Sequence, residues 1–328
     1  MTFKTLWEKT NQHFQVSAQM IQAMVELALP EKKLASHEVV SGGCANLNVK
    51  LNLTDETQPL ILRIYVRDKA AAYREQKLET LIKSSVPLPE VYFVGDFEGH
   101  RFAITEYMPG RSLRDLLLSH PDDHIESIMV QAGQILASIQ KYQFPISGFF
   151  DDDLKVTEPL SRQSYITYAR ECLTHPTVVE VLGQKSIRKI NENLEKYGAF
   201  FPDETQTYLV HGDYGPENIL IDKVEGRWKI TAILDWEFAY SGSTLCDVSN
   251  MLRYAHHMPP IFEVAFLQGV VQDGVILPQN WRVSVYLLDL IALLGCLLRS
   301  SPKTHPKQCA DIRELIANIL LNLEGTKV

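Results

Sequence analysis

The chain has 328 residues, 45% of them hydrophobic and 22% charged, with a formal net charge of -8. That length can hold two modest lobes, each with its own core, and the composition is that of a globular protein without long disorder. The acidic balance argues against a nucleic-acid partner, which would need a basic face, and is compatible with a small cationic substrate.

Five cysteines, Cys44, Cys172, Cys246, Cys296 and Cys309, form no Cys-x-x-Cys pair and are odd in number. They read as reduced thiols, with neither a disulfide frame nor a zinc site. The first residues carry acid and base too early for a signal peptide, and no apolar run is read as reaching membrane-spanning length. The expectation is a cytoplasmic protein with no membrane partner; its oligomeric state is left open.

In chain order, residues 11–29 show helical spacing and stop at Pro30. Alternating, β-branched segments follow at 37–40, 47–53 and 60–65 and predict three antiparallel strands. Between the first two lies Ser41-Gly42-Gly43-Cys44-Ala45-Asn46. A glycine turn between strands can fold over nucleotide phosphates and offer backbone N–H groups, and it can equally be a plain hairpin.

Arg63 is the only base inside the third strand, where kinases place a phosphate-binding Lys that pairs with a Glu on the next helix. The helix predicted over 68–84 carries Glu75 as that partner. An Arg grips phosphate through a fork rather than a point charge, and an edge-strand Arg facing solvent is the alternative. Strands at 90–95 and 101–107 then lead to Glu106-Tyr107-Met108, where a hinge would read an adenine edge through backbone groups.

Beyond Gly110 the pattern turns helical, with segments at 112–119, 125–142, 161–173, 184–197, 260–273, 280–298 and 306–323. Into this region is set a short strand at 207–210, then His211-Gly212-Asp213-Tyr214-Gly215-Pro216-Glu217-Asn218. A strand over 218–222, a turn at Gly226 and a strand over 228–234 deliver Asp235. An Asp and an Asn at this spacing, with a second Asp closing the next apolar segment, suit phosphoryl transfer. Asp213 would receive the proton of the attacking hydroxyl, while Asn218 and Asp235 would hold Mg²⁺ as oxygen ligands. Antiparallel pairing of the two strands would bring Asn218 and Asp235 to one mouth.

The segment from Leu209 to Tyr254, with His-Gly-Asp-Tyr-Gly-Pro-Glu-Asn, Leu-Asp-Trp-Glu and the stretch from Gly242 to Asp247, resembles the aminoglycoside phosphotransferase family, relatives of choline and homoserine kinases. The resemblance implies an α+β, two-lobed, protein-kinase-like fold. Residues 1–107 would form a small lobe of antiparallel sheet with a helix, and 108–328 a larger, mainly helical lobe.

It also implies transfer of the γ-phosphoryl group of ATP, with GTP possible, to a hydroxyl of a small molecule of aminoglycoside, amino-alcohol or sugar type. Ser41, Gly42, Gly43 and Asn46 would cover the phosphates, since Gly-Gly-x-x-Asn is common at this place in the relatives. Arg63 and Glu75 would steady those phosphates, and Glu106 and Met108 would line the hinge. Asp247 would stabilise the catalytic loop, and His211 would join Asp213 by orienting that loop ahead of any direct proton transfer.

Acidic candidates for acceptor contact are Asp151, Asp152, Asp153, Glu217, Glu237 and Asp289, the first three being more typical of a solvated loop. Phe149, Phe150, Trp281 and Tyr286 read as core. A protein kinase fits the same triad, but here no Ala-Pro-Glu element follows Asp235, Asp-Trp-Glu replaces Asp-Phe-Gly, and Gly212 stands where an Arg would follow the His. A catalytically silent nucleotide-binding protein would be expected to lose the base or a metal ligand, and neither is lost here.

Overall fold

The computed structural model describes residues 3–8, 16–40, 46–54, 56–119 and 125–326. Its first part is an antiparallel sheet of β1 (Leu34–Val40), β2 (Leu47–Leu53), β3 (Leu60–Tyr65), β4 (Val91–Phe97) and β5 (His100–Glu106), in the order β1-β2-β3-β5-β4. The period of two in β2 and β3 sends Val49, Leu51, Leu62 and Ile64 to one face. There they pack with Ile21, Met24 and Val25 of α1 (Ala18–Ala28).

The opposite face presents Arg63 and Tyr65, and Tyr65 packs with Ala71 and Ala72 of α2 (Ala71–Ile82). Helix α1 starts at an N-cap, Ser17, whose hydroxyl accepts from the Met20 amide at 3.1 Å. The expected earlier start at residue 11 lies outside the described residues. Strand β1 begins three residues before the expected 37, because its exposed edge position carries little apolar signal.

After β5 the chain leaves this sheet. Strand β6 (Arg111–Ser112) pairs instead with β10 (Ile219–Val224), itself paired with β11 (Arg227–Ile233). A second small sheet runs β8 (Val156–Pro159), β7 (Gly148–Phe150), β12 (Tyr240–Gly242), β9 (Tyr208–Val210). Around these lie α3 (Leu113–Ser119), α4 (Ile125–Ile139), α5 (Arg162–Thr174), α6 (Pro176–Tyr197), α7 (Leu245–Leu252), α8 (Ile261–Gln272), α9 (Trp281–Leu298) and α10 (Pro306–Gly325). The architecture is therefore α+β, an N-terminal antiparallel sheet followed by a mainly helical part.

Helices α4 and α8 cross at Gly133 and Gly269, where any Cβ would fall on the facing helix backbone. Helix α6 runs on either side of a break at Gly183 (φ 71°, ψ 160°), and only its second half is predicted by the sequence. Strands β7, β8 and β12 and helix α7 lie outside the predicted elements.

Helix α9 corrects the expectation that no apolar run is long enough to cross a membrane. Its 18 residues, at a mean hydropathy of 1.8, meet that test by length and composition. They pack as a core helix, with Leu287, Leu290, Leu293 and Leu294 fully buried. Its Asp289 is ion-paired inside the protein with Arg253 at 2.7 Å.

Candidate active site

Strand β9 delivers the loop that begins at His211, and Asp247 in the first turn of α7 holds it. The amides of His211 and Gly212 donate to the two oxygens of Asp247 at 2.8 and 2.9 Å. Burial pushes the Asp247 carboxyl up to about 7, against the pull of those two amides. Gly212 sits at φ 83°, and a Cβ there would fall on the Phe238 carbonyl, so the turn requires glycine.

His211 is fully buried, and both of its ring nitrogens are engaged by backbone. The Asp213 amide donates to Nδ1 at 3.2 Å, which makes Nε2–H the donor to the Leu234 carbonyl at 2.8 Å. Burial lowers its pKa, and the neutral tautomer fits both bonds. The ring therefore ties the loop to the end of β11, an orienting role. The Tyr214 hydroxyl anchors the next residue by donating to the Ala132 carbonyl of α4 at 2.8 Å.

The Asn218 amide nitrogen donates to the carbonyl and to Oδ2 of Asp213 at 2.9 and 3.0 Å. Those bonds fix the amide so that its oxygen is the atom left for a cation. Pairing of β10 with β11 sets Ile219 opposite Ile233, and the Leu234 amide donates to the Asn218 carbonyl at 2.8 Å. Asp235 follows at once, in the left-handed region (φ 62°, ψ 58°). Asp213, Asn218 and Asp235 are thus neighbours, as the antiparallel pairing predicts.

Across from them, Arg63 reaches out of β3. Its guanidinium pairs with Glu75 of α2 at 3.2 Å, with Asp235, and with Glu237 at 3.7 Å. The Tyr65 hydroxyl donates to the second Glu75 oxygen at 2.5 Å. Burial raises the Glu75 carboxyl, with Arg63 pulling the other way. Burial also takes Glu237 up to about 7, opposed by Arg63 and reinforced by Asp235 and Glu75. Arg63 is buried among carboxylates, not an edge residue facing solvent.

The remaining expected residues divide. Ser41, Gly42 and Gly43 lie outside the described residues. Asn46 is buried and its Oδ1 accepts from the Val66 amide at 3.3 Å, which pins the loop end against the chain leaving β3. Glu106 and Met108 lie on the wall of a cavity of about 1430 Å³ that also contains Arg63, Asp213, Asn218 and Asp235. Tyr165, Tyr168, Ala292 and Arg299 of the helical part also line it.

Of the acidic candidates, Asp151 accepts from the amides of Asp153 and Lys155 in a loop, and Asp153 pairs with Lys77. Glu217 pairs with Lys4. Phe149 lines the cavity and is about half exposed, against its reading as core, whereas Phe150 is buried.

Lys4 has no counterpart in the sequence reading. Its Nζ lies 2.8 Å from Asp213 Oδ1. Burial pushes the Asp213 carboxyl up, but the Lys4 ammonium outweighs it and holds Asp213 at about 2. Among the described residues no cluster of three or more His, Cys, Asp or Glu could hold a metal. Two hard-oxygen ligands, an amide and a carboxylate, are the kind of set Mg²⁺ uses when phosphates and water complete its shell.

The profile described as "Phosphotransferase enzyme family" matches residues 36–283. The chain is 26% identical over 187 residues to "Acyl-CoA dehydrogenase family member 11" of Gallus gallus, a match covering 56% of this chain and 22% of that protein. It is 26% identical over 173 residues to "Hygromycin-B 4-O-kinase" of Escherichia coli, covering 51% of this chain and 48% of that protein. The chain thus spans less than half the length of these curated relatives. A thermostable mutant of aminoglycoside phosphotransferase APH(4)-Ia, solved with AMP-PNP and hygromycin B, superposes with a TM-score of 0.69 at 17% identity, over 94% of this chain and 100% of that one. At that identity the likeness is one of fold.

Proposed function

The chain belongs to the phosphotransferase enzyme family, and from that premise we propose that it moves the γ-phosphoryl group of ATP to a hydroxyl of a small molecule. The observation that carries the proposal is the meeting of Asp213, Asn218 and Asp235 in one cavity with the Arg63–Glu75 pair. Phosphoryl transfer asks a protein for positioning and charge stabilisation more than covalent chemistry, and these groups supply both.

In this reading Asp213 accepts the acceptor's hydroxyl proton. The acceptor oxygen forms a new bond to the γ-phosphorus as the bond to the bridging oxygen breaks, and ADP leaves. Asn218 and Asp235 would hold Mg²⁺, which when bound neutralises phosphate charge. Arg63 would direct its guanidinium at the phosphates, kept in place by Glu75. His211 and Asp247 hold the loop in register without touching the reacting atoms. Residues 1–107 would carry the nucleotide, against a hinge at Glu106 to Met108, and 108–328 the acceptor.

The acceptor would be of aminoglycoside, amino-alcohol or sugar type, and the size of the cavity, about 1430 Å³, is compatible with holding it beside the nucleotide. The test is a panel of such compounds with MgATP and MgGTP, read as nucleoside diphosphate release and as a mass gain on the acceptor. Asp213→Asn should lower the rate with the best acceptor by roughly a thousandfold while nucleotide binding persists. Transfer undiminished by that substitution would remove Asp213 from its role.

A further inference from the structure

We propose that the segment from Phe3 to Glu8 is a plug in the active site, with the Lys4 ammonium occupying the place at Asp213 that an acceptor hydroxyl must take. This rests on the reading of Asp213 as the proton acceptor. Lys4 Nζ lies 2.8 Å from Asp213 Oδ1 and also pairs with Glu217. The other Asp213 oxygen takes the Asn218 amide at 3.0 Å. Both carboxylate oxygens are therefore engaged, while a hydroxyl giving up its proton must approach one of them to hydrogen-bond distance, about 2.6–3.2 Å.

The segment is seated by contacts of its own. Phe3 is fully buried, its ring 5.1 Å from that of Tyr254. The Trp7 indole N–H donates to Asp311 at 2.8 Å. The Glu8 carboxylate accepts from the Lys307 and Gln308 amides at 3.0 and 3.2 Å, at the start of α10 where the helix has N–H groups to satisfy. Between these anchors Leu6 is exposed, while Phe3 and Trp7 pack on the helical core and Lys4, Thr5, Trp7 and Glu8 line the cavity, so the segment forms one wall of the site. Withdrawal costs the Lys4 ion pairs, the burial of Phe3 and the hydrogen bonds of Trp7 and Glu8. An acceptor that engages Asp213 and Glu217 would replace the lysine contacts.

The experiment compares wild type with Lys4→Met, which keeps the aliphatic stem, and with Trp7→Phe, which removes the bond to Asp311 and keeps an aromatic ring near Lys4. The readout is MgATP hydrolysis with water as the acceptor. Lys4→Met should hydrolyse faster by roughly tenfold to a hundredfold, the size of one charge-assisted hydrogen bond, and Trp7→Phe should move the same way by less. In parallel, acylation of the Lys4 amine by an N-hydroxysuccinimide ester, read by mass spectrometry, should be slow in wild type and fast in Asp213→Asn.

Slower hydrolysis in Lys4→Met would make Lys4 part of the transfer apparatus and overturn the plug. Equal rates, including equal absence of turnover, would overturn it as well. So would Lys4 acylation as fast in wild type as in Asp213→Asn. Transfer to a panel compound at undiminished rate in wild type would sustain the proposed function while any of these results removed the plug.

Discussion

Arg63 must satisfy three carboxylates with one guanidinium, and the surplus of negative charge falls on Glu237. That side chain is buried, and it is taken up to about 7 by burial first, with Asp235 and Glu75 adding to the effect. A carboxyl raised in the folded state binds its proton more tightly there than in the unfolded chain. Its stabilising share is complete below the ordinary value of 4.5 and is lost as pH rises through about 7. Glu237→Gln should therefore flatten part of the fall in Tm between pH 5 and 8, with Asp247 acting in the same direction. A Tm slope identical in variant and wild type would contradict this. At this scale the sequence singled out Asp213, Asn218, Asp235, Arg63 and Glu75 because local spacing carries them. It missed Lys4, whose partner lies 209 residues away, since a lone lysine near one end has no pattern to read.

The loop from His211 to Asn218 works because three elements grip it: β9 from behind, α7 through Asp247, and β11 through the Leu234 carbonyl. Asp247→Asn would leave one loop amide facing an NH₂ group. Loss of a charged acceptor from a buried site should cost about 1–3 kcal/mol in urea unfolding and lower turnover as well. A variant with wild-type stability would show the loop to be held otherwise.

The crossing of α4 and α8 is a separate case. Gly133→Val should destabilise by about 1–3 kcal/mol or more, read from the denaturant midpoint, because the added atoms meet the Phe266 carbonyl and nothing there can yield cheaply. The long strands and helices were legible because their side chains repeat with period 2 or 3.6. Strands β7, β8 and β12 are too short to show a period. The first half of α6 was hidden by Gly183, which reads as a terminator but here marks a break within a longer helix.

At the scale of the molecule, the two-part layout was legible because strand patterns cluster before residue 107 and helical ones after it. How the parts are tied together was not, since those ties join residues far apart in the chain: Leu78, Ile82 and Val86 pack in one apolar core with Leu113 and Leu116, and polar side chains reach across as well. One is Arg63. Another is Arg74 of α2, whose guanidinium donates to the Glu237 carbonyl at 3.0 Å and pairs with Asp68 at 2.5 Å.

Arg74 adds to that apolar packing a polar tie that sets α2, and with it Glu75 and Arg63, against the turn after Asp235. Arg74→Met keeps the bulk of the stem and removes the tie. The apolar packing of Leu78 and Ile82 remains, so Tm should fall by only a few degrees, as for loss of about 1 kcal/mol. The KM for MgATP should rise several-fold, because the Arg63–Glu75 pair would no longer be held over the phosphates, while the KM for the acceptor should change little. Steady-state kinetics with each substrate varied in turn separates these outcomes. An unchanged KM for MgATP, or an equal rise for both substrates, would mean that α2 is positioned by packing alone.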